Sequence, residues 1–111
     1  NIYYIIVNVE FTNSNTPNDF SLSQNYPNPF NPSTKIKYTV PVTLSEVEGS
    51  LVTLKVYDVL GNEIVTLVNE EKPAGSYDVV FSAKGGYASG IYFYQLNASG
   101  FLFTKKMLLI K

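Results

Sequence analysis

The sequence predicts an all-β domain, an antiparallel β-sandwich. Three observations carry that expectation. Apolar residues recur at every second position over most of the chain, and no segment sustains a helical repeat. Nine Tyr and seven Phe supply side chains that pack well on a pleated surface. Candidate strands also follow one another through short polar or glycine-containing connections, as in an antiparallel sandwich.

Residues 2–11 form the first candidate strand. Tyr3, Ile5, Val7, Val9 and Phe11 make one wholly apolar face, while the other turns polar at Asn8 and Glu10. This strand has one face to bury and is additional to the sandwich. Residues 12–19, TNSNTPND, offer nothing to anchor in a core and read as a linker. The domain proper is expected over residues 20–111. It opens with a stretch holding Pro27, Pro29 and Pro32. Each proline lacks an N–H and pushes its predecessor toward extended geometry, so irregular extended backbone is expected here. Tyr26 and Phe30 are expected to peg it into the domain.

Six regular strands follow, over residues 35–40, 51–58, 63–68, 75–83, 91–96 and 101–110. Their alternation places Ile36, Tyr38, Val52, Leu54, Val56, Tyr77, Val79, Phe81, Ile91 and Phe93 in the core. The connections have recognisable chemistry. Leu60-Gly61-Asn62 suits a turn, because Gly and Asn tolerate positive φ. Residues 43–50 and 69–74 read as charged loops, with Glu46, Glu48, Glu70 and Glu71 solvated. Residues 84–90 hold three glycines around Tyr87, and residues 97–100 form a short turn.

The totals exclude several functions. A chain of 111 residues is one domain, and it buries enough surface for a core without metal or disulfide. With 45% hydrophobic and 15% charged residues it is too apolar for a disordered tail and too polar for a membrane protein. All eight basic residues are Lys and the net charge is −1, which argues against nucleic-acid binding. His and Cys are absent, so the common near-neutral base, the commonest metal ligand and thiolate chemistry are missing. No enzyme activity, metal or cofactor is expected. The apolar run over residues 2–7 is far too short for a membrane helix, so no membrane insertion is expected. The first residue is Asn1 rather than Met, which suggests a processed chain or a fragment.

Five blocks in order carry a family resemblance. The first is Gln24-Asn25-Tyr26-Pro27-Asn28-Pro29-Phe30-Asn31-Pro32. Then come Val56-Tyr57-Asp58 with Gly61, Ala74-Gly75-Ser76-Tyr77, and Ser89-Gly90-Ile91-Tyr92-Phe93-Tyr94. Lys105-Lys106-Met107 with Lys111 is the last. Together they resemble the C-terminal sorting domains of bacterial type IX secretion, over about residues 20–111. The resemblance implies an immunoglobulin-like sandwich of about seven strands, related to the flagellar hook-cap domain. It further implies a place at the C-terminus of large secreted proteins of Bacteroidetes, which the domain directs across the outer membrane. In that family the domain is often cleaved when its passenger is attached to surface lipopolysaccharide. Two departures stand out: residues 45–50 lengthen a loop, and Phe81 stands where Trp is common.

Candidate sites remain few. Lys105, Lys106 and Lys111 are contacts for a secretion receptor, as the resemblance implies, or edge-strand lysines that discourage aggregation. Tyr3-Tyr4, Tyr92/Tyr94 and Phe101/Phe103 could offer a glycan-stacking platform, with core packing the stronger reading. Asp58 reads as an acceptor for turn N–H groups rather than a metal ligand. Three functions follow. The leading one is a structural subunit that binds copies of itself head-to-tail, its strand 2–11 completing a neighbour's sheet. The second is a sorting signal of a larger secreted protein, engaging type IX machinery. The third is a glycan- or surface-binding module. All three place the protein outside the cell or on its surface.

Overall fold

The computed structural model describes residues 19–41 and 50–111. The strand expected over residues 2–11, with Tyr3, Ile5, Val7, Val9 and Phe11, lies outside the described residues. So do most of the expected linker, Glu46 and Glu48.

Alternating apolar and polar side chains favour strands, because one face can be buried while the other stays wet. Among the described residues this yields β1 (Ser21–Leu22), β2 (Ser33–Val40), β3 (Ser50–Tyr57), β4 (Glu63–Lys72), β5 (Gly75–Ser82), β6 (Gly90–Ala98) and β7 (Phe101–Leu109). They build two antiparallel sheets, ordered β1-β2-β5 and β4-β3-β6-β7. The expected all-β sandwich is the observed architecture. Its core lies between the sheets. Ile36, Tyr38 and Val40 of β2 face Val52, Leu54 and Val56 of β3, with Tyr92, Tyr94 and Leu96 of β6 and Met107 and Leu109 of β7. Each aliphatic side chain so buried contributes roughly 1.5–3 kcal/mol.

Local chemistry explains the turns. The β6–β7 hairpin closes through Ser99 (φ 48°) and Gly100 (φ 84°), with Ala98 opposite Phe101. Two positive-φ residues make the tight turn whose twist matches antiparallel strands. After β3, Gly61 (φ 89°) closes a turn through its N–H to Asp58 O at 3.0 Å.

Four expectations are corrected. First, β6 buries its other face: Tyr92, Tyr94, Leu96 and Ala98 point inward, while Ile91 and Phe93 are only half-buried. Period two defines two faces without saying which is inner. The inward tyrosines find acceptors for their hydroxyls, Tyr92 at Ala88 O (2.6 Å) and Tyr94 at Ser23 O (2.7 Å), so both rings can leave water. Second, Tyr26 is no peg. It is 81% exposed, whereas Phe30 is 1% exposed. Third, Glu70 and Glu71 belong to β4, paired with Val52 and Leu51 of β3. Cross-strand pairing carries the strand past the point where composition suggests a loop. Fourth, Tyr77 and Val79 of β5 are half-buried and only Phe81 of that strand is fully enclosed, because β5 is an edge strand.

Candidate recognition surface

The proline segment crosses from one sheet to the other. Its first anchor is β2: Tyr26 N–H donates to Lys35 O (3.0 Å) and Lys35 N–H donates back to Tyr26 O (2.9 Å). The second is β7, where Phe30 N–H donates to Leu108 O (2.9 Å) and Ile110 N–H donates to Phe30 O (3.0 Å). The Asn28 side-chain carbonyl accepts from Leu108 N–H at 3.0 Å. Gln24 Nε2 donates to Lys106 O at 2.7 Å. Signature and last strand, about eighty residues apart in sequence, are thus one continuous surface. Prolines suit such a crossing, because they carry no N–H that would need a partner between the sheets.

A buried polar knot fixes the segment from below. Asn25 and Thr34 are both buried. Asn25 N–H donates to the Tyr94 hydroxyl oxygen (2.8 Å), and Asn25 Nδ2 donates to Thr34 Oγ1 (2.9 Å) and Pro27 O (3.1 Å). Thr34 Oγ1 donates in turn to Pro27 O (2.8 Å). Buried polar groups satisfied in this way specify one docking geometry. Burial pushes the Tyr94 hydroxyl pKa from 10.0 up to about 12. Phe30 inserts beside the knot, its ring 5.9 Å from that of Phe81 and edge-on to it. Asn25 and Thr34 are the residues that sequence reasoning missed as positioning groups. Thr34 continues the inward alternation of Ile36, Tyr38 and Val40, which could have found it, whereas Asn25, in an irregular segment, carries no such signal.

The lysines of β7 separate. Lys105 pairs with the inward Tyr94 and Lys106 with the outward Phe93, so the two ammonium groups project from opposite faces. Lys105 is half-buried on the inner face of an edge strand. An inward charge there discourages pairing with another sheet edge. Lys106 stands on the outer face in a row with Phe93 and Tyr57, and Ile91 and Leu108 form the next row. Exposed Val59 and Leu60 rise from the adjoining turn. Lys111 is exposed at the same end of β7. Lys106 and Lys111 are thus both accessible, whereas Lys105 is half-buried.

The remaining candidates resolve simply. Asp58 Oδ1 accepts from Leu60 N–H and Asn62 N–H, each at 2.9 Å. The Asn62 backbone bond, foremost among several, holds its carboxyl pKa below the usual aspartate value. This is the expected turn acceptor. Glu70 ion-pairs with Lys72 at 3.2 Å, and the Lys72 ammonium lies 5.0 Å from the centre of the Tyr77 ring. Tyr92 and Tyr94 are buried and offer no platform to a glycan. Phe101 and Phe103 stack in parallel, with centroids 6.3 Å apart, and Phe20 packs on Phe101 at 5.2 Å.

Fold and surface together define a two-sheet β-sandwich module whose proline-rich opening segment is built onto its last strand. The chain belongs to the secretion system C-terminal sorting domain family, whose model matches residues 24–111. The match begins at Gln24, where the segment first bonds to β7, and runs through that strand. No curated protein and no solved structure matches the chain significantly. Family membership marks a domain of exported proteins and favours the sorting reading over the fibre reading.

Proposed function

We propose that this domain is a non-enzymatic sorting signal of a larger secreted protein, read as a folded surface by type IX secretion machinery. The observation that carries the proposal is the union of signature and last strand through Gln24, Asn28 and Phe30. A receptor that reads this surface meets Lys106 beside Phe93 on the outer face of β7, with the docked proline segment along the same strand. Destination follows from the same reading: the cell surface or the medium of a Bacteroidetes-type bacterium. The head-to-tail fibre depends on residues 2–11, outside the described residues, and no observation among the described residues favours it.

A reporter fused ahead of the full chain in a type IX-secreting bacterium tests the proposal. The fusion is expected in the medium or on the surface, and a Lys106→Glu fusion is expected to stay in the periplasm while remaining folded. Export of the Lys106→Glu fusion at the normal level would remove the outer row of β7 from the recognition surface. Retention of the unaltered fusion would overturn the sorting role itself.

A further inference from the structure

We infer that the cleft between the proline segment and β2 binds an anionic glycan, a polysaccharide bearing uronic-acid carboxylates. Gln24, Tyr26, Lys35 and Lys37 line this cleft, which has a volume of about 370 Å³. Its combination of groups is unusual for a merely solvated surface. Tyr26 is 81% exposed, yet its backbone is held by two bonds to Lys35. Among the described residues its ring packs on no other aromatic ring. The structure thus fixes the base of a large ring and leaves its faces open. A pyranose has an apolar C–H face that covers such a ring, and hydroxyls around its rim that need polar partners.

The polar partners are present. Lys35 and Lys37 occupy alternate positions of β2 and share its outer face, roughly 7 Å apart along the strand. Neither forms an ion pair among the described residues, where Lys55–Glu63 and Lys72–Glu70 are the pairs found. Asp78 lies across from Lys37 on β5, while Lys35 lies across from the exposed Val80. Lys35 therefore carries the less compensated charge. Gln24 Nε2 is already engaged by Asn25 Oδ1 and Lys106 O, which leaves Oε1 as an acceptor for a hydroxyl.

Strand pairing argues for a glycan over an acidic peptide. An extended peptide gains affinity by adding to an open sheet edge. Here β2 is the middle strand. One side is used by β1, by Ser23 N–H to Lys37 O (2.9 Å) and by Tyr26, and the other by β5 along residues 33–40. With no backbone edge to offer, the cleft reads its ligand through side chains alone, which suits a rigid, hydroxyl-rich chain with spaced negative charges. The cleft shares Gln24 with the contact to Lys106 O, but Tyr26, Lys35 and Lys37 belong to or pair with the other sheet from Phe93 and Lys106. Its test is independent of secretion.

Isothermal titration of the full chain with oligogalacturonate, at low and at physiological salt, provides that test. Binding is expected and should weaken with salt. Tyr26→Ala is expected to weaken it about fivefold to tenfold, and the double variant Lys35→Ala/Lys37→Ala by about tenfold. Lys84→Ala, an exposed lysine outside the cleft, is expected to bind as the unaltered chain does. Equal melting temperatures across the set would show that the variants remain folded. Absence of binding, equal binding of the neutral maltohexaose or of poly-glutamate, or unchanged affinity in Tyr26→Ala would each overturn the inference.

Discussion

Tyr26 and Phe30 stand four residues apart in one proline-rich segment, and each is bonded through its backbone to a strand of a different sheet. Their side chains meet opposite fates. Phe30 lies over the gap between the sheets, where the ring of Phe81 and the end of β7 enclose it. Tyr26 is bridged to the outward-facing Lys35 of β2, where no second layer covers it among the described residues. The contrast teaches that an aromatic residue in an irregular segment is buried by what its backbone bonds place above it, not by its apolarity. One end of the segment holds the fold together and the other is left for contact.

The largest effect expected from this contrast is at the buried end. Phe30→Ala should cost about 3–5 kcal/mol in urea unfolding, as the loss of a fully enclosed ring implies. A loss below about 1 kcal/mol would mean that the segment is not docked as described. Next comes the polar knot. Tyr94→Phe removes the partner of Asn25 N–H and Ser23 C=O and should cost about 1–3 kcal/mol. A neutral result would show that water replaces the hydroxyl and that the knot does not hold the segment.

Alkaline titration sharpens the same point. The Tyr94 and Tyr38 hydroxyls are pushed from 10.0 to about 12, chiefly by burial. Their neutral forms are favoured in the folded state, so this contribution is intact below pH 10 and is lost as pH rises toward about 12. Melting temperature should fall across that window, and less steeply in Tyr94→Phe. An equal slope in the variant would exclude Tyr94 from the alkaline transition.

A smaller effect is expected at the β3–β4 turn. Asp58→Ala should lower the melting temperature at neutral pH by removing the acceptor of two N–H groups. Because the folded-state pKa is depressed, mainly by the Asn62 backbone bond, that contribution is present above the ordinary aspartate range and is lost as pH falls through the folded-state value. The difference between variant and unaltered chain should therefore shrink in acid. A difference that persists there would assign the effect to backbone strain rather than to the carboxylate. Smallest of all is Tyr26→Ala, which should change stability by less than about 0.5 kcal/mol. A greater loss would break the contrast between the two ends.

Several features were legible without coordinates because they are local. Alternation along residues 35–40 and 51–58 yields β2 and β3 with Ile36, Tyr38, Val52, Leu54 and Val56 inward, since strand geometry sends every second side chain to one face. Asp58 before Leu60-Gly61-Asn62 announces its own turn, because donors and acceptor lie within five residues. The five ordered blocks announce the family. Tertiary structure alone decided the rest. Which face of β6 is inner depended on Ser23 O and Ala88 O receiving the Tyr94 and Tyr92 hydroxyls, and Ser23 O lies on a distant segment. The fates of Tyr26 and Phe30 and the burial of Asn25 were set by which distant strand each residue meets. Period and composition describe a chain's own faces, but burial is a relation between two pieces of chain, and sequence shows only one piece at a time.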